Sequence, residues 1–172
     1  MKRNRALLPT APIAGALLAA LLALPPLPGQ AAELSEPETS IQLGISDVPK
    51  TPNTQFALLT HRRPQARLPL GLDFVAASLG SIAGRSDSEP GSRERVNFVS
   101  LQLGYQLGRF SLASGLAAVS HTTVSLSSGY QFHSHLGIRL RRAAELGLGH
   151  LSNAGLRSPN RGESYIAIGF RF

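Results

Sequence analysis

The sequence predicts an all-β chain closed into an eight-stranded antiparallel transmembrane β-barrel of the outer membrane. Three observations predict it. The chain opens with an export signal and holds no later segment apolar enough for a helical span. Apolar residues recur at every second position through the rest of it. The connections alternate between short and long, as they do in barrels that cross a membrane with strands.

The signal comes first because it is removed before folding. Lys2, Arg3 and Arg5 form a basic start, Ala11 to Leu24 form a short apolar run broken by Pro12, and "PPLPGQAAE" follows. This is the pattern of a secretory signal peptide. Gly29 and Ala31 suit positions −3 and −1, which places cleavage after Ala31 or Ala32. Residues 1–31 are thus the signal and residues 32–172 a single barrel domain. Loss of Lys2, Arg3 and Arg5 lowers the formal charge of +7 by three, to +4. With no cysteine in the chain, disulfides and thiolate metal sites are excluded. An exported domain without disulfides must be held by a sizeable core or a closed sheet.

After a polar lead-in, "AELSEPET" (32–39), the period is two. "IQLGI" sets Ile41, Leu43 and Ile45 against Gln42 and Gly44. "LGLDFVA" sets Leu70, Leu72 and Phe74 against Gly71 and Asp73. "GYQFHSHLGIRL" sets Tyr130, Phe132, Leu136, Ile138 and Leu140 against Gln131, His133, His135, Gly137 and Arg139. "ESYIAIGFRF" sets Ile166, Ile168, Phe170 and Phe172 against Tyr165, Ala167, Gly169 and Arg171. Less regular segments at 54–61, 95–107, 109–120 and 143–152 complete a set of eight.

"LGR" (107–109) and "RRAA" (141–144) are tight connections. The 46–53, 80–94, 120–128 and 152–162 stretches are long, polar or glycine-rich. The 62–69 connection, "RRPQARLP", is longer than a tight turn requires. A soluble barrel shows the same alternation with its faces exchanged. The small and polar character of the second face suits the narrow interior of a membrane barrel, and the terminal Phe172 suits it too. The absence of Trp counts against it, because aromatic girdles are usual.

Both termini of an even-stranded barrel lie on the periplasmic side, so the seventh strand ends outside the cell. In that strand Ala144, Leu146, Leu148, His150 and Ser152 share one parity, and Glu145, Gly147, Gly149 and Leu151 share the other. Leu146 and Leu148 mark the lipid side, so His150 and Ser152 face outward at the membrane's outer edge. Residues two apart on one strand face are about 6.5–7 Å apart at Cα, within reach of an imidazole and a hydroxyl. Strict alternation puts Glu163 on the inner face with Tyr165, unless a bulge at the loop-to-strand junction re-aims it.

The trio has a chemistry. A hydroxyl becomes a useful nucleophile when a neighbouring base takes its proton. A carboxylate then orients the imidazole and stabilises its charged form. Ser152, His150 and Glu163 can fill those roles, and the "SNAG" turn, Asn153 to Gly155, can present N–H groups to an oxyanion. The plain alternative is that His and Ser merely decorate a strand end. Location argues for function, since bare polar groups on a lipid-facing strand cost stability.

"HLSNAGL…PNRGES", followed by an aromatic-tipped strand, resembles the PagL-type lipid A 3-O-deacylase family. The resemblance implies an eight-stranded outer-membrane barrel with a Ser–His–Glu triad. It implies hydrolysis of the 3-position acyl ester of lipid A, releasing a 3-hydroxy fatty acid without a metal or other cofactor. Position by position, His150 is the base, Ser152 the nucleophile and Glu163 the acid, with Asn153 and Gly155 in the oxyanion turn. Some members have one more residue between the glycine and the glutamate than "RGES" has. The partners implied are lipopolysaccharide and the outer membrane, with a homodimer left open.

Two other readings stand beside it. One is a non-catalytic barrel, structural or adhesive. The other is a different lipid A acyl-modifying enzyme, such as a palmitoyltransferase-like barrel that takes an acyl chain into its interior, which a polar interior disfavours. His133 and His135 share the inner face with Gln131 and Arg139, which points to a hydrogen-bond network in the lumen rather than to a metal site. Arg85, Arg93, Arg95, Arg157 and Arg161 lie in or beside outer loops, either as ordinary loop residues or as contacts for lipopolysaccharide phosphates. The modest positive charge and the export signal argue against nucleic acid.

Overall fold

The structure, a computed structural model, describes residues 36–46, 54–65, 68–84, 94–140 and 143–172. The expected signal segment, residues 1–31, and its expected cleavage site lie outside the described residues. Eight antiparallel strands close into one barrel in chain order: β1 (Glu38–Ser46), β2 (Thr54–Pro64), β3 (Phe74–Ile82), β4 (Val96–Leu107), β5 (Phe110–Val119), β6 (Tyr130–Arg139), β7 (Ala144–Ser152) and β8 (Glu163–Arg171). β1 pairs with β8, and Thr39 and Phe172 exchange backbone hydrogen bonds of 3.0 and 2.9 Å beside the paired ends. No sheet edge is left open, as a hydrocarbon solvent demands.

The alternation resolves into an inside and an outside. Leu43, Leu101 and Phe170 are 65 %, 62 % and 65 % exposed, whereas Gln42, Gln102 and Gln131 are buried. A soluble barrel has the reverse arrangement, so the exposed apolar wall settles the choice that alternation alone leaves open. No helix among the described residues is long and apolar enough to cross a membrane. The chain crosses with strands and is an outer-membrane β-barrel.

The interior is layered. At the outer end Phe56, Phe98, Leu126, Leu151 and Tyr165 pack into an apolar cluster. The Phe56 and Tyr165 rings stack with centroids 3.9 Å apart. Tyr165 lies over Gly149 and Phe98 over Gly80, where any Cβ would collide with the ring. Below them His133 bridges Ser100 Oγ (2.9 Å) and Tyr165 Oη (2.8 Å), the network expected of a lumenal histidine. At the periplasmic end Glu38, Arg62, Arg139, Glu145 and Arg171 form an ion-pair cluster. The upper part of the interior thus holds an apolar layer, because large rings from one strand fill the space left by glycines on another. Polar networks dominate the middle and lower parts.

β3 departs from expectation. It starts at Phe74, and Phe74 points into the lumen, fully buried with Ala76 and Ala113, instead of outward with Leu70 and Leu72. Pro69–Gly71 form a short 3-10 turn before it, with Leu70 at φ +62°. Asp73 anchors the junction: its carboxylate accepts from Gln106 N–H at 2.7 Å and its own N–H donates to Gly104 O at 2.8 Å. The ring of Phe74 then occupies the space over Gly104. The length of the β2–β3 connection follows from this small folded turn, which Tyr105 closes with a 2.7 Å bond to Leu70 O.

Candidate active site

β6, β7 and β8 carry the site, and their registers fix which residues meet. Leu148 lies opposite Leu136 on β6 and Ile166 on β8, and His150 lies opposite Ser134 and Ser164. Ser114 on β5 pairs with Ser134 in turn, their hydroxyls 3.1 Å apart. A row of four polar side chains thus crosses four strands on the lipid-facing wall, one residue pair above the level of Leu148. His150 and Ser152 are both half-buried on this wall, as the sequence parity places them.

Around the imidazole the geometry is specific. His150 Nδ1 is 2.9 Å from Ser164 Oγ. The opposite edge of the ring lies on Gly162, where a Cβ would stand 2.6 Å from Nε2 and would also strike Cε1. Gly162 has φ +67°, a second reason for glycine there. Glu163 is buried and belongs to the inner parity, opposite Leu151 on β7. The β7–β8 register runs from Ala144↔Phe170 to Leu151↔Glu163 without a bulge, so Glu163 is not re-aimed outward.

The turn after Ser152 is held from within. Ala154 N–H reaches Ser152 Oγ at 3.4 Å, and Gly155 N–H donates to Asn153 Oδ1 at 3.0 Å. Asn153 is buried, and its Nδ2 donates to Ser127 Oγ (3.0 Å) and Arg157 O (2.9 Å). Asn153 N–H points to Asn160 Oδ1 at 3.4 Å. The β5–β6 loop braces this turn: Gly162 N–H donates to Ser125 O at 3.0 Å, and Leu126 inserts into the apolar cluster below. Asn153 and Gly155 thus shape the turn, and Ala154 N–H is the backbone donor directed at the serine.

Sequence reasoning missed Ser164, Ser134 and the bracing loop. The parity of Ser164 was legible, since it precedes Ile166 by two, but its place opposite His150 depends on the register across β7 and β8. Among the loop arginines, Arg95 donates to Ser81 Oγ at 3.2 Å. Arg85 and Arg93 lie outside the described residues.

Comparison with known proteins agrees with the fold. The outer-membrane enzyme PagL, solved by crystallography, superposes with a TM-score of 0.55 at 14 % identity, over 78 % of this chain and 98 % of that one. The outer membrane protein Ail of Yersinia pestis, solved in a phospholipid bilayer nanodisc, gives 0.50 at 15 % identity, over 80 % and 100 %. At these identities the likeness is one of fold: a small outer-membrane barrel. No curated protein matches the chain. Residues 96–172 match the family model described as lipid A 3-O-deacylase (PagL). That match spans β4 to β8, the stretch that holds the candidate site.

Proposed function

We propose that the chain is an esterase that removes the 3-position acyl chain of lipid A, releasing a 3-hydroxy fatty acid. The observation that carries this reading is a histidine and a serine side by side on the lipid-facing wall, at the outer end where lipopolysaccharide resides. The PagL-type match over the same strands supports the substrate class. The packed apolar cluster inside the barrel leaves the outer wall as the route for an acyl chain.

In the reaction, Ser152 Oγ attacks the ester carbonyl while His150 takes its proton. The tetrahedral oxyanion is met by N–H groups of the Asn153–Gly155 turn, which shift from their present acceptors as substrate seats. The intermediate collapses to an acyl-serine, and His150 returns the proton to the sugar oxygen that leaves. Water, deprotonated by His150, then attacks the acyl-serine, and Ser152 regains the proton as the fatty acid departs. Glu163, behind β8, is the acid that favours the imidazolium.

The test is mass spectrometry of lipid A from cells with and without the protein. Loss of one 3-hydroxyacyl group, only where the chain is present, is the expected result. Unchanged lipid A, with the barrel folded in the membrane, favours a non-catalytic barrel. The direction of approach has its own test. Leu148→Arg puts a charge on the acyl path below His150 and costs roughly 2–4 kcal/mol if near the midplane, less towards the interface. It is expected to depress lipid A hydrolysis more than hydrolysis of a short soluble ester. An equal effect on both substrates would mean that substrate does not approach along that wall.

A further inference from the structure

The geometry points to Ser164 as the residue that sets the tautomer of His150: its hydroxyl accepts from Nδ1–H and so leaves Nε2 as the basic nitrogen. This rests on His150 being the general base, and it adds a positioning residue outside the His150, Ser152 and Glu163 trio.

Three observations carry it. Ser164 lies directly opposite His150 in the β7–β8 register, on the same outward face, with Oγ 2.9 Å from Nδ1. Glu163, one residue earlier, belongs to the other face. The ring's far edge, with Nε2, leans over Gly162. The β7–β8 ladder ends at Leu151↔Glu163, and one step further in the same register Ser152 stands level with Gly162. The imidazole is therefore laid along the strand pair with Nδ1 at its own level and Nε2 at the level of the nucleophile. A base on that side needs an unprotonated lone pair at Nε2, which puts the ring proton on Nδ1, where the Ser164 hydroxyl can accept its hydrogen bond. Only glycine at 162 lets the ring lie this way.

A hydroxyl partner holds the ring without adding charge, which suits a site open to lipid, where an outward carboxylate would be costly. Ser164 thus holds the Nδ1 edge of the ring, and the Nε2 edge lies at the level of Ser152.

The experiment uses the full barrel in detergent micelles with ¹⁵N-labelled histidine. Long-range ¹⁵N–¹H correlation reads the tautomer of His150, assigned by its loss in His150→Ala. The expected result is Nδ1–H in the native chain, a shift towards Nε2–H in Ser164→Ala, and recovery in Ser164→Thr. Heat-modifiable migration on gels checks that each variant is folded. In parallel, Ser164→Ala should lower kcat on lipid A by roughly tenfold to a hundredfold, part of the 10²–10⁴ that acid–base catalysis contributes, with KM unchanged and Thr restoring it. An unchanged tautomer in Ser164→Ala overturns the inference, as does a changed tautomer with full kcat. If the native chain hydrolyses no ester at all, the proposed function falls, and the tautomer shift still decides the role of Ser164.

Discussion

Ser152→Ala will lower lipid A deacylation by roughly a thousandfold or more, and His150→Ala will lower it about as far. The double variant will be no worse than either single one, because a nucleophile without its base and a base without its nucleophile are equally idle. That non-additivity separates a catalytic pair from two residues that merely help the substrate bind, whose losses would multiply. The measurement is the initial rate of 3-hydroxy fatty acid release from purified lipid A in mixed micelles, with each variant first shown to be folded. Both residues are half-buried on the outer wall, so their removal leaves the interior packing untouched. Retention of more than a tenth of the rate in Ser152→Ala would remove the serine from the chemistry. Glu163→Ala should cost less, since Glu163 lies on the inner face and under the proposed reading would act on the imidazolium only through charge. If it costs nothing, Glu163 has no part in the reaction.

Much of this was legible in the sequence, and the physical reason is the bilayer. Lipid outside and a narrow lumen inside enforce a period of two, so Ile41, Leu43 and Ile45 declare their face against Gln42 without any knowledge of partners. His150 and Ser152 inherit their outward placement from Leu146 and Leu148 by the same count. Where the reading failed, a local feature imitated the period. Leu70 and Leu72 continue the apolar rhythm into Phe74, but a turn and the Asp73 anchor interrupt the strand and reverse the meaning of Phe74.

What could not be read depends on distance across the barrel. Leu126 sits in a loop with no strand pattern, and only the closed structure shows its side chain entering the cluster around Leu151 and Tyr165. The residue opposite His150 was hidden for a related reason. Parity shows that Ser164 faces outward, but which residue stands opposite His150 depends on how the 153–162 turn closes. Glu163, the conspicuous carboxylate, falls one step out of that position.

Arg62→Leu will destabilise the folded barrel by about 3–5 kcal/mol, because it strands a carboxylate inside the lumen. Arg62 and Glu145 are 2 % and 0 % exposed, and they are joined twice, Nη2 to Oε1 at 2.6 Å and Nη1 to Oε2 at 2.9 Å. The pair links β2 to β7, strands separated by β1 and β8 in the sheet, so it is a strut across the lumen and not a contact along the wall. Gln42 Nε2 gives Glu145 one further bond at 2.7 Å, and Arg171 Nε stands 3.8 Å from its other oxygen. These neighbours remain in the variant but cannot replace two charge-assisted bonds from a planar guanidinium. Leucine keeps most of the buried bulk, so the loss reports the unpaired charge more than a cavity. Urea titration in micelles, followed by the fraction that keeps heat-modifiable migration, measures it. Removing the carboxylate as well, in Arg62→Leu with Glu145→Leu, should recover much of the loss, since a lumen filled with apolar side chains no longer holds an unpaired ion. A single variant as stable as the native chain would show that Arg139 and Arg171 suffice to hold Glu38 and Glu145. A double variant no better than the single would show that the strut stabilises by its own bonds, beyond neutralising Glu145.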